Sequence, residues 1–429
     1  MDLPLGDGTV TVDLDHVNAT VARPEGGDAV DVQAATRDAL DSPLGPPLAW
    51  RVDADATVAV VVTDGTRHVP TETVLDALLA DLDAAGVARD AVSVVVGLGL
   101  HRPMTDGELD AMLGAHADLA TNHDPDDVVT VGDVDGVPID VARTVASADV
   151  VLATGVVEPH QYAGFSGGAK TVVVGAGGES QIAHSHGPDL LGRDGVRLGR
   201  VDGNPFRAFL DRAGALAGPD FCVNVLQGPD GVLDVAAGTP RAVVHDLADA
   251  ARDALAVEVP DDETYDAVVA GVGAPKDANL YQASRAATYV ALGDRNPLAD
   301  PTNEDADGDD ADDGHHPTGG RIVVPAALPE GAGDGTGERR FHDWLSNATD
   351  ADALYREMKQ GYEAGAQRAF VLARVLRDHD VHVTNSQHPD VVDDCLMHAT
   401  DTVADALDPG MDVLVVPDAL NTLLVRERD

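Results

Sequence analysis

The stretch ATVAVVVTDGTRHVPTETVLDALLADLDAAGV, residues 56–87, sets the architecture. Its first part, ATVAVVVTD (56–64), is apolar without the alternation of a half-exposed strand, so it reads as a strand buried on both faces. The second part, TETVLDALLADLDAAGV (71–87), has helical periodicity and closes at a glycine. The pattern then repeats. AVSVVVGLGLHRP (91–103) is a second strand running into a loop, Thr105 opens a helix with a capping-box partner at Glu108, and ADVVLATG (148–155) is a third strand. This alternation predicts an α/β layered domain with a largely parallel sheet.

After ALAVEVPDDETYD the pattern restarts with the strand AVVAGVG (267–273), which places a boundary near residue 258. The expectation is therefore two α/β domains with largely parallel sheets, residues 1–257 and 258–429, and an active-site cleft between them. The second half adds RIVVPAAL (321–328), a long helical stretch from about Asp350 to Arg377, and DVLVVPDA (412–419). ADPTNEDADGDDADDGHHPTGG (299–320) is acidic, low in complexity and expected to be a mobile loop, with His315 and His316 solvated rather than metal-bound.

At 429 residues, 44% of them apolar, the chain suits two or three globular domains. No apolar run is long enough to span a membrane, and the acidic N-terminus lacks the basic region of a signal peptide. Cys222 and Cys395 offer neither a disulfide framework nor a zinc site. The 75 acidic against 28 basic residues give a formal net charge of −47. Such a surface repels nucleic acid and anionic membranes. With aspartate spread along the chain, the charge reads as solvation at high salt, so a cytoplasmic protein of a halophile is expected.

In the first half the chemically suggestive residues follow strand ends: Asp64 and Arg67 the first, His101 the second, His160 the third. In parallel α/β sheets that edge binds ligands. In TDGTRHVP (63–70), Asp64, Gly65 and Thr66 precede a helix in a loop suited to a phosphate or carboxylate, and Arg67 suits a carboxylate. The plain alternative is a capped helix start with a surface arginine. In GLGLHRPMTDGEL (97–109), His101 is a candidate proton carrier, weighed against being one ordinary histidine among 16.

EPHQYAGFSGGAKTVVVGAGG (158–178) sets glycines around Lys170, and of 28 basic residues only Lys170, Lys276 and Lys359 are lysines. A chain that uses arginine almost everywhere keeps a primary amine here. GFSGGAKT (164–171) nearly fits a phosphate loop, but Ala169 stands where that pattern has glycine, and the strand-like TVVVG follows where it demands a helix. ESQIAHSHGPDL (179–190) carries His184 and His186, a surface pair or ligands for nickel, zinc or copper. In GAPKDANLYQASRAA (273–287), Gln282 and Arg285 fall on one helical face, solvated or turned to a site.

In this order, EPHQYAGFSGGAK, GLGLHRP and NLYQASR resemble the nickel-pincer-nucleotide lactate racemase family over roughly residues 55–350. The resemblance implies that Lys170 is joined through a thioamide to pyridinium-3,5-bisthiocarboxylic acid mononucleotide nickel, a linkage that arginine cannot make. It implies His186 as nickel ligand and His101 and His160 as catalytic acid–bases. It also implies Asp64, Gly65, Thr66, Ser166, Gly167 and Gly168 around the cofactor, with Arg67, Gln282, Arg285 and Trp344 at the substrate. The implied activity is racemisation of a short 2-hydroxy acid, lactate foremost. One histidine removes the hydroxyl proton as the α-hydrogen leaves as hydride, and the second histidine serves the opposite enantiomer. Cofactor-biosynthesis proteins are the implied partners.

The chain departs from the family's lactate enzymes at Arg285, commonly lysine, at His68, usually proline, and at Gly65, typically serine. Those departures keep open another 2-hydroxy acid or a sugar as substrate. The rival of another class is a nucleotide-binding protein with a degenerate phosphate loop, which predicts reversible ATP affinity and no nickel. A regulatory module that has lost its chemistry is disfavoured by the retained lysine and histidines.

Overall fold

The computed structural model describes residues 1–67, 69–228, 231–298 and 319–426. His68, His315, His316 and the acidic segment through residue 318 lie outside the described residues.

The chain separates into two compact units, Glu25–Leu255 and Met1–Pro24 with Ala256–Asp429. This corrects the expected 1–257 domain at its beginning. Strand β1 (Asn18–Val21) pairs in parallel with the strand Asp412–Val416, and Leu3 and Val12 are buried in the core of the second unit. All four β1 side chains are exposed, so the segment carries no apolar pattern that announces a strand.

The Glu25–Leu255 unit is built on β2 (Val58–Thr63), β3 (Val92–Gly97), β4 (Ala120–Asn122), β5 (Val150–Val157), β6 (Phe221–Gly228) and β7 (Gly231–Gly238). They form one sheet in the order β7-β6-β5-β2-β3-β4, parallel except for the β6–β7 hairpin. Both faces of β2 are covered, which is why its sequence lacks alternation: Val58 to Val62 are all buried. The helix Thr71–Ala84 adds Leu75, Leu78 and Leu82 to the cluster around Val60, Val94, Leu152 and Val223. Each such side chain contributes about 1.5–3 kcal/mol on burial. Thr105 caps Asp106–Leu113 with Glu108 in the expected reciprocal box.

From β2 the strands are added first on one side, as β3 and β4, then on the other, as β5 and β6. The carboxyl ends of β2 and β5 therefore flank a topological switch point, where successive loops diverge and leave a crevice.

In the second unit, β8 (Ala267–Ala270), β9 (Arg321–Pro325), β10 (Asp380–Thr384), β11 (His398–Thr400) and β12 (Asp412–Val416) join β1 in the order β11-β10-β9-β8-β12-β1, parallel throughout. The long helix expected from Asp350 to Arg377 is instead two, Ala351–Met358 and Gln367–Leu376. Gly361 and Gly365 between them take φ of 133° and 97°, which ends one helix before the next begins. Among the described residues no helix is long and apolar enough to cross a membrane.

Candidate active site

The loops leaving β5, β2 and β3 stand side by side because the strands do. Asp64 follows β2 and is buried. Its Oδ1 accepts from Thr66 Oγ1 at 2.5 Å and Oδ2 pairs with His101 Nδ1 at 2.7 Å. Burial alone raises the Asp64 pKa, but the bonds from His101 and Thr66, with the charges of His101 and Arg67, outweigh it and hold the group at about 2. Asp64 is thus a fixed anion, poorly suited to a phosphate and placed as the partner of His101. It keeps the histidine proton on Nδ1 and presents Nε2 as the acceptor.

This carboxylate links stability to pH. Its folded pKa lies below the ordinary 3.8, so its contribution is present above pH 4 and is lost as pH falls toward 2. Asp64→Asn should remove roughly 2 kcal/mol of acid-dependent stability over that window, read from urea midpoints across pH.

Arg67 reaches from the same loop to the end of β5, where Nη1 meets Glu158 Oε1 at 2.5 Å. Past Glu158, the two-residue strand Pro159–His160 pairs with Gly164–Phe165. His160 Nδ1 accepts the backbone N–H groups of Tyr162 and Ala163, each at 3.2 Å. Tyr162 stands edge-on to both His160 and His186, with ring centroids 5.5 and 5.6 Å apart, and Phe206 closes the group 5.1 Å from His186. His186 Nδ1 lies 3.0 Å from Ser185 Oγ and 3.2 Å from Ile182 O, and with Nδ1 so engaged Nε2 is the nitrogen suited to a metal. His184 turns elsewhere, packing on Phe209 with centroids 5.0 Å apart. Of the His-x-His pair only His186 joins the cluster.

The glycine loop is held from below. Arg207, buried in the first turn of the helix Pro205–Ala217, donates to the carbonyls of Phe165, Ser166 and Gly167. Asn224 Oδ1 on β6 accepts Gly168 N–H at 2.8 Å, and Ser166 Oγ donates to Val156 O at 2.7 Å. Gly168 has φ +60°, and a Cβ there would meet Val244 Cγ2 at 2.7 Å and Pro240 O at 2.9 Å. Gly168→Ala should therefore cost roughly 2–4 kcal/mol, seen as a lower urea midpoint.

Lys170 ends the loop. The strand-like TVVVG after it is a π-helical turn, Thr171–Gly175, a correction whose cause is close packing. Gly175 meets Gly97 backbone to backbone, with room for no side chain between them. Among the described residues, no hydrogen bond or ion pair engages Lys170 Nζ. Part of the residue is accessible. Burial, then the positive charges of Arg67 and Arg207, push its pKa down from 10.5 to about 7, against the smaller pull of Glu158 and Asp64. It is an amine as much as an ammonium.

The second unit holds the other three candidates. Gln282 lies in Leu280–Ala283 and Arg285 opens Arg285–Ala291, so a break at Ser284 separates them. Gln282 Oε1 accepts from Arg368 Nη1 at 3.3 Å, while the Arg368 guanidinium lies 3.6 Å over the Tyr281 ring. Arg285 is buried and donates to Tyr289 OH at 2.8 Å. Trp344, in the helix Thr336–Ser346, is partly buried.

Residues 5–199 match the family model of the lactate racemase N-terminal domain. Over that stretch the chain carries a lactate racemase N-terminal domain. It is 25% identical to the lactate racemase of Lactiplantibacillus plantarum over 99% of both chains. To that of Thermoanaerobacterium thermosaccharolyticum it is 24% identical, over 100% of this chain and 99% of the relative. The fold superposes on the lactate racemase apoprotein from the latter organism with a TM-score of 0.82, at 21% identity and 99% coverage of both chains. A Thermotoga maritima protein superposes with a TM-score of 0.63, at 17% identity over 93% of this chain and 98% of that one.

The sequence reading missed the groups that hold the lactate racemase domain's loops in place: Glu158, Tyr162, Phe206, Arg207 and Asn224. Only the NPF start of the Arg207 helix signals anything, an N-cap at Asn204 followed by proline at N1. Nothing in a sequence announces that an arginine three residues on turns back under a distant loop.

Proposed function

We propose that this chain is an isomerase that racemises a short 2-hydroxy acid, lactate foremost, with a nickel-pincer nucleotide joined to Lys170. The observation that carries this is Lys170 Nζ: a partly deprotonated amine, engaged by no described partner, at the end of a loop whose Gly164, Gly167 and Gly168 stand at positive φ. A covalent linkage needs such a nucleophile. A phosphate-binding lysine needs a firm positive charge and a following helix, so the nucleotide-binding rival fits less well.

The residues suit the cofactor. His186 offers Nε2, and no group of three or more His, Cys, Asp or Glu among the described residues is arranged to hold a metal, so the other donors must come from the cofactor itself. Gly167 and Gly168, at positive φ and packed against Val157 and Val244, give the loop before Lys170 its tight path. When bound, the cofactor supplies an electrophilic centre able to accept the α-hydrogen of the substrate as hydride.

The chain's own residues supply binding and proton transfer. His101 Nε2 takes the hydroxyl proton, and the ionised Asp64 beside Nδ1 stabilises the resulting imidazolium. Arg67, steadied by Glu158, orients the substrate carboxylate with its remaining N–H groups. Gln282, Arg285 and Trp344 are further proposed substrate contacts. Arg285 in place of the family's common lysine is longer and forked, which leaves a related 2-hydroxy acid as the second reading of the substrate. We place the protein in the cytoplasm of a halophile, loaded by cofactor-making partner proteins.

The test is chiral chromatography of D- or L-lactate incubated with chain purified from a cofactor-producing host. Convergence to equal amounts from either side supports the reading. Reversible ATP binding without racemisation of any 2-hydroxy acid contradicts it.

A further inference from the structure

Arg207 is a cation in a place that disfavours one. It is 3% exposed and lies in the first turn of the helix Pro205–Ala217, where the helix dipole already presents positive charge. Among the described residues no carboxylate pairs with it, and Asp211, one turn along, acts on it only through space. Burial lowers its pKa only to about 10, so the guanidinium is still charged at neutral pH. For stability alone a neutral side chain would suit this position better. What the charge meets is the loop that leads to Lys170. Nη2 donates to the carbonyls of Phe165 and Ser166 and Nη1 to that of Gly167, the last two at 3.4 Å. Asn224 accepts Gly168 N–H, so each of residues 165–168 is tied to a side chain. The helix start that carries Arg207 is itself fixed. Asn204 Oδ1 accepts the N–H groups of Phe206 and Arg207, while its Nδ2 holds the carbonyls of Tyr162 and Arg200.

Resting on the racemase reading above, we propose that Arg207 is a positioning residue for Lys170: its guanidinium fixes the carbonyls that lead to the lysine, and its charge keeps the amine uncharged and nucleophilic. A neutral hydrogen-bond donor would do the first and not the second. Arg67 bears on the amine as well, and more strongly, but Glu158 pairs with it at 2.5 Å. Glu158 and Asp64 both pull the amine the other way. Arg207, with no such partner, is the unbalanced cation beside the lysine.

The test is acetylation of the full chain, made in a host without the cofactor, by acetic anhydride over a range of pH. In that reaction the amine lone pair forms the amide bond, acetate leaves and the proton goes to water, so the rate follows the uncharged fraction. Peptide mass spectrometry reads Lys170, with the exposed Lys359 as internal reference. The parent should titrate with a midpoint of about 7. Arg207→Gln keeps N–H donors without the charge. Its midpoint should rise by about one unit, which makes labelling about fivefold slower at pH 7. Arg207→Lys retains the charge and should keep the parent's midpoint. A merely structural role would lower the melting temperature of both variants and leave their midpoints alike. An unshifted midpoint in Arg207→Gln, or an equal rise in both variants, overturns the proposal. Should Arg207→Gln not fold, Arg207→Lys carries the test: the parent's midpoint supports the proposal and a raised one overturns it. Because no cofactor is present, failure of the racemase reading leaves these midpoints unchanged, so the two failures are distinguishable.

Discussion

Lys170→Met should give a folded protein, at least as stable as the parent near neutral pH, with no covalent adduct and no racemase activity above background. The native amine already pays a desolvation cost when protonated, beside Arg67 and Arg207. Its folded pKa of about 7 lies below the ordinary 10.5, so the unfolded chain binds more protons between those values and stability rises with pH across them. Methionine fills similar volume without a charge and should abolish that slope. Lys170→Arg also loses the adduct, because a guanidinium is not a nucleophile at these pH values. It should fold less well, since it fixes a third permanent cation next to two others. Thermal melts of the three proteins at pH 7 and pH 10 give the order: methionine variant at or above parent, arginine variant below. Chiral chromatography of lactate then separates loss of chemistry from loss of fold.

His101→Ala should cost about 10²–10⁴-fold in kcat, the usual worth of a positioned general base, with a much smaller change in stability. The side chain is 47% exposed, and among the described residues its one side-chain partner is Asp64. Removing the ring leaves that carboxylate to Thr66 and to water, so the fold keeps its core. Asp64→Asn should fall on the same pathway but lose less, because it weakens the base and its orientation without removing it. The double variant should then be no worse than His101→Ala alone. Full additivity of the two losses would mean that Asp64 acts on something other than His101.

The fold was readable where burial imprints a period on the chain. The runs at 56–64, 91–103 and 148–155 hold β2, β3 and β5, and the helix from Thr71 kept its start. What escaped lacked that imprint. Strand β1 is exposed on every side chain, yet it belongs to the sheet of the second unit through parallel pairing with β12. The break in the 350–377 helix depends on two glycines at positive φ inside an otherwise helical pattern. TVVVG has strand composition, but its close fit of Gly175 onto Gly97 is a tertiary constraint.

For the site, strand ends located Asp64, Arg67, His101 and His160 correctly on one sheet edge, since parallel topology alone puts ligands there. Their partners were not readable. The Asp64–His101 pair joins residues that neighbour each other only because β2 and β3 do. At Nδ1, His101 faces a carboxylate from one loop and His160 faces two backbone amides of another. A sequence shows two histidines and no reason to tell them apart.

The most direct test of the central claim is intact-protein and peptide mass spectrometry, with nickel analysis, on chain produced in a cofactor-making host. With three lysines in 429 residues the map is unambiguous. A nucleotide-sized adduct on the Lys170 peptide, with nickel in proportion to it, is the predicted result. Unmodified Lys170 from a host shown to load a known lactate racemase would contradict it.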